Sequence, residues 1–122
     1  MVPYLMMKTA LALLSITAIG GVSMAVIRLT RNVNPPSWLA MLHGLLAGSA
    51  LTLLLYAYFT VGLPVVACWA LILFMIAAAG GAYLNLNYHS KMVPLPKIIV
   101  IVHATIAVAG YIMLLMAVWP LR

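Results

Sequence analysis

The chain has 122 residues, 68% of them hydrophobic and 5% charged, with a mean hydropathy of +1.27. A soluble domain of that length needs a polar skin, which this composition does not supply. It holds no Asp or Glu against six Lys plus Arg, which excludes paired-carboxylate hydrolysis, carboxylate-bound calcium, Ser-His-Asp triads and carboxylate proton relays.

The first uncharged run extends from Thr9 to Ile27, between Lys8 and Arg28, and just suffices to cross a hydrocarbon core of about 30 Å. Lys8, this run and Ser23-Met24-Ala25 imitate a secretory signal with a small-residue cleavage site. The segment is expected to stay, because it forms half of an internal repeat. A polar turn, Arg28 to Ser37, ends in a Pro pair placed to start a helix. The second span covers about 38–60. Gly62 and Pro64 interrupt the pattern, and the third covers about 64–86. The segment Asn87 to Lys97, with Pro94 and Pro96, reads as a loop before the last span at about 98–119. Nothing alternates in polarity, so membrane strands are not expected. The predicted fold is all-α: an integral membrane four-helix up-and-down bundle, with residues 1–122 forming a single transmembrane domain.

Sliding the sequence on itself by sixty positions aligns residues 1–62 with 61–122. Gly20 and Gly21 meet Gly80 and Gly81, Pro36 meets Pro96, His43 meets His103, and Arg31 meets Lys91. Leu and Ala matches are common in such a composition, so the rarer types carry the signal. Two helix hairpins of one design are expected, as a parallel repeat. Four cations lie in the loops after the first and third helices (Arg28, Arg31, Lys91, Lys97), against Lys8 and Arg122 opposite. By the positive-inside tendency, both termini are expected outside the cytoplasm. Six scattered cations form no basic stripe, so no nucleic-acid partner is expected. The single cysteine, Cys68, excludes an internal disulfide and reads as apolar filling.

His43 and His103 each lie five residues into a helix starting on the same side, roughly 7–8 Å below that interface. In an up-down-up-down bundle the second and fourth helices are diagonal, which leaves a gap that a planar group could fill. Two imidazoles at one depth on diagonal helices suit axial ligation of a haem iron. Ala47 and Ala107 follow at four residues, and Ala50 and Gly110 at seven, keeping both ligand faces clear of bulk. Gly20, Gly21, Gly80 and Gly81 would admit close approach of something flat or of another backbone. Arg28, Arg31, Lys91 and Lys97 would neutralise haem propionates.

Blander readings compete. Small residues pack helices in membranes, and Gly44-xxx-Gly48 is such a motif. A zinc site wants four close ligands, which are missing. Copper through His and Met is an alternative, but the nine Met are scattered like core filler. His89 meets Leu29 in the repeat. It is either a wet interfacial histidine or an accessory group beside a propionate, a quinone or another electron partner.

The runs Trp38-Leu-Ala-Met-Leu-His43-Gly-Leu-Leu-Ala47 and Val102-His103-Ala-Thr-Ile-Ala107-Val-Ala-Gly110, on four short helices, resemble small bacterial four-helix membrane b-type cytochromes. The resemblance implies haem b, one per chain, held non-covalently by His43 and His103 in the bacterial inner membrane. It implies electron transfer between a quinol or reductase and a partner, with quinone as a second candidate cofactor and quinone-linked oxidoreductase activity as an open question. The chain lacks the second histidine pair of two-haem relatives, and it has no Cys-x-x-Cys-His for covalent haem. With both axial positions filled by imidazole, electron transfer is favoured over oxygen chemistry. The alternative function is a non-catalytic structural or assembly subunit of a larger membrane complex, and a homodimer is also open. Transport ranks last, for want of a buried carboxylate.

Overall fold

Prolines set where three of the four helices begin. Pro36, Pro64 and Pro96 have φ of −58°, −62° and −63°, the value their rings impose, and none has an N–H to leave unbonded at a helix start. Each offers its carbonyl to the first turn, as in Cys68 N→Pro64 O and Val100 N→Pro96 O, both 3.1 Å. A computed structural model describes residues 2–119; Arg122, counted above for orientation, lies outside the described residues. The helices are α1 (Val2–Arg31), α2 (Ser37–Thr60), α3 (Val65–Leu84) and α4 (Lys97–Val118).

Two boundaries differ from the sequence expectation. The first helix continues through Lys8 and Arg28 at both ends, because Lys and Arg are good helix formers; apolarity marked the run and missed the helix. It stops only where Asn32 turns left-handed, φ 57°, an end that asparagine tolerates. The third helix continues past Leu84 as a π-helical turn over Asn85–His89, closed by Ser90 N→Asn85 O at 2.8 Å. Asn87 to His89 therefore belong to helix rather than loop. Met92, sixty positions after Asn32, takes the same φ of 57°.

The helices α1 and α2 pack extensively on each other, as do α3 and α4; the two pairs meet more sparingly through α1–α4 and α2–α3. The main core holds Met7, Ala10, Leu14, Ala50, Leu54, Ala67, Ala70, Leu71, Phe74, Leu114 and Val118. A second, smaller cluster of Leu84, Leu95 and Val100 lies at the opposite end, with Ala25, Tyr88 and Ile99 against it. Large apolar side chains also point outward on every helix, including Ile19, Phe59, Val65 and Ile98. All four helices are long and apolar enough to cross a membrane, counting Val65–His89 together.

The two loops at the α1 end are laced together. The Asn34 amide donates to Val93 O at 2.8 Å and accepts from Leu95 N at 2.9 Å. Arg28 Nε donates to Leu95 O at 2.7 Å, His89 Nε2 to Pro35 O at 2.8 Å, and Lys97 Nζ to Asn32 Oδ1. A side-chain amide that satisfies a backbone donor and acceptor at once leaves both orphaned when removed. Asn34→Ala is expected to lower stability by about 1–3 kcal/mol, measured by thermal unfolding in detergent, with the helical content of the folded state unchanged.

Candidate functional site

His43 and His103 lie between the two apolar clusters, at the level of Thr17 to Gly21 on α1 and Ala77 to Gly81 on α3. At that level the buried residues on these segments are Thr17 and Ala77, neither of which fills the bundle centre as a Leu or Phe would. The hydrophobic core is interrupted there.

Each ring is anchored by one bond of the same kind. His43 Nδ1 lies 2.9 Å from Thr17 O, and His103 Nδ1 lies 2.8 Å from Ala77 O. A carbonyl oxygen only accepts, and its second lone pair is available beyond the helical bond, so Nδ1 carries the proton in both rings. In the neutral imidazole that leaves Nε2 as an unprotonated lone pair, the form in which histidine ligates a metal. The acceptors Thr17 and Ala77 are themselves sixty positions apart. Backbone carbonyls have no side-chain signature, so sequence reasoning could not have named them.

The close approach requires glycine at two positions. A Cβ on Gly21 would stand 2.9 Å from His43 Cε1, and one on Gly81 would stand 3.1 Å from His103 Cε1. Gly20 and Gly80 would make only ordinary contacts with the same histidines, at 3.7–4.0 Å. The glycine pairs therefore seat the imidazoles against α1 and α3.

The ring centroids are 6.3 Å apart, with planes at 69°. Imidazole nitrogens bind a metal at about 2.0–2.1 Å and lie roughly 1.1 Å from their ring centre, given ring bonds of about 1.33 Å. Two such rings with both Nε2 atoms aimed at one ion would have centroids about 6.3 Å apart by the same bond lengths; the observed distance and angle are equally those of an edge-to-face ring contact. No group of three or more His, Cys, Asp or Glu is gathered among the described residues. A metal here would have to bring its remaining ligands with it. No protein-family model, curated protein or solved structure matches the chain.

The remaining expected site residues divide. Ala47 and Ala107 are half-buried, one turn beyond the histidines. Gly110 belongs elsewhere: a Cβ there would meet Phe74 and Leu73 of α3 at 3.2–3.3 Å. Seven residues carry it about 10 Å along the helix, from the ligand level into the main core. Gly44 and Gly48, read above as a helix-packing motif, have open space within 4 Å of a Cβ, so no helix of this chain packs on them. Of the four loop cations, Arg28 is buried and Lys97 is half-buried against Asn32, whereas Arg31 and Lys91 are exposed. His89 is held by the lacing and sits apart from the pair. Tyr111 was also not singled out beforehand. Ser15 Oγ donates to Leu11 O at 2.8 Å, so the Tyr111 hydroxyl donates to Ser15 Oγ at 2.7 Å, tying α4 to α1 below the histidines.

Proposed function

We propose that the chain is a membrane-embedded haem b protein in which His43 and His103 are the two axial ligands, one from each of two repeated helix hairpins. The single observation that carries this reading is the histidine pair itself: both Nδ1 atoms bonded to helix carbonyls, with centroids 6.3 Å apart. The core is interrupted at that level and the hairpins meet sparingly; the rings are in edge contact, so a flat group between them would require the hairpins to part. Outward apolar side chains on every helix support insertion in a bilayer.

When bound, haem b supplies a reversible one-electron iron couple. The chain's residues would hold and orient it: Thr17 O and Ala77 O fix the orientation and tautomer of both rings. Gly21 and Gly81 let the rings sit back against α1 and α3. Held by two histidines, the group would be suited to electron transfer between a quinol or reductase and a partner and not to oxygen chemistry. An apolar, carboxylate-free surrounding disfavours the added positive charge of ferric iron, which raises the potential relative to a solvent-exposed haem of the same ligation.

The test is the absorption spectrum of the detergent-purified protein. A Soret band with sharp α and β bands after dithionite is the expected result; a colourless protein that stays colourless after incubation with haemin overturns the reading. One observation favours a second reading, an assembly subunit of a larger complex. The Gly44-xxx-Gly48 face lies open and suits close approach of a helix from another chain. That reading predicts a colourless protein that co-purifies with a partner.

A further inference from the structure

We propose that Arg28 is the receptor for the phosphate of an anionic phospholipid, one of whose acyl chains lies in the groove between α1 and α4. This rests on the membrane reading above and is independent of haem. A guanidinium has five N–H donors, and the protein gives Arg28 one side-chain acceptor contact, Nε to Leu95 O at 2.7 Å. Nη1 is buried without a partner, on a residue only 8% exposed. The chain contains no Asp or Glu, so no side-chain carboxylate of its own can neutralise this charge. Buried charge without a counterion is strongly unfavourable, and the missing anion must come from outside the chain.

An apolar groove lies next to the cluster that Arg28 touches. Leu95, whose carbonyl Arg28 holds, clusters with Val100 and Ala25. Those two residues line a groove of about 300 Å³ with Leu29, Ile101, Ala104 and Val108. Its one hydroxyl, on Thr105, is turned back onto Ile101 O at 2.8 Å. The walls therefore suit a hydrocarbon chain. The last turn of α1, where Arg28 sits, falls at headgroup level when α1 spans a bilayer. Arg28 does not itself line the groove; it is joined to it through Leu95, whose cluster partners Ala25 and Val100 do, so a phosphate reaching the guanidinium would leave its acyl chain beside an apolar groove.

The test is native mass spectrometry of the purified full-length protein with phosphatidylglycerol or phosphatidylcholine added. The expected result is one phosphatidylglycerol retained per chain, about tenfold more strongly than phosphatidylcholine. Arg28→Gln should bring retention down to the phosphatidylcholine level, Arg28→Lys should keep part of the preference, and the exposed Arg31→Gln should leave it intact. If Arg28→Gln does not fold, Ala104→Phe fills the groove while sparing Arg28, and it should also release the lipid. Equal retention by the wild type and both of these variants, or no preference for the anionic lipid, overturns the proposal. So does expulsion of the lipid on haemin loading, which would assign Arg28 to the carboxylates of the haem. Lipid retention is read without any spectrum, so failure here leaves the histidine pair untouched, and a colourless protein leaves Arg28 untouched.

Discussion

Replacing either His43 or His103 with alanine is expected to abolish the sharp low-spin bands of the reduced protein, whereas His89→Ala leaves them in place. On the haem reading proposed above, each alanine would remove one of the two residues that would hold the group and leave the other ring, 6.3 Å away in the native pair, with nothing to share a metal with. No Cys, Asp or Glu stands in as a replacement ligand within a cluster among the described residues. His89 donates Nε2–H to Pro35 O at 2.8 Å, which holds it in the loop lacing and not against the His43–His103 pair. Its loss should weaken the lacing between loops while sparing the spectrum. Haem content per chain and reduced-minus-oxidised spectra measure this. Bleaching by His89→Ala with His43→Ala silent would overturn the ligand assignment.

The glycines divide into two classes with opposite expected signs. An alanine methyl at Gly21 would stand 2.9 Å from His43 Cε1, and at Gly81 it would stand 3.1 Å from His103 Cε1. The rings must move, and their Nδ1–carbonyl bonds lengthen or break. Gaining alanine in a helix returns about 1 kcal/mol, while an orphaned buried bond costs about 1–3 kcal/mol. Both variants should lose stability or sit near neutral, and Gly21→Val and Gly81→Val should lose haem binding outright. At Gly44 and Gly48 the same alanine meets open space, so it should raise stability by up to about 1 kcal/mol. Thermal unfolding in detergent, with and without haemin, separates the two classes. A neutral Gly21→Val with full haem content would show that the ring does not depend on that glycine.

The apolar spans were plain in the sequence, because twenty residues without a charge leave few other structures available. Lys8 and Arg28 misled as boundaries: they mark where apolarity ends, while the α1 backbone ends at Asn32. The π-helical turn at Asn85–His89 had no legible sign either, since Asn87 and His89 among prolines look like a loop. The histidine pair stood out because His43 and His103 match across sixty positions, and the structure brings the two rings together edge to face. What Gly21 and Gly81 touch could not be read. Their pairing suggested a flat neighbour, and the neighbour each one meets is an imidazole. Gly110 failed as a ligand-face residue because helical spacing gives direction around the axis without saying which neighbour has closed in at that height. The lacing by Asn34 was hidden because its partners are main-chain atoms.

That lacing distributes constraint unequally among the residues of each connection. The donors and acceptors contributed by the α1–α2 connection come partly from side chains, those of Asn34 and Arg28. Their partners in the α3–α4 connection are the backbone groups of Val93 and Leu95. Any residue except proline offers the same amide and carbonyl, so Val93 is free to drift, and Leu95 is restrained only by its burial. Asn34 and Arg28 have no such latitude. Mutational tolerance should therefore be uneven within each connection: Asn34 and Arg28 on the first side and His89 and Lys97 on the second resist exchange, whereas Val93 tolerates it.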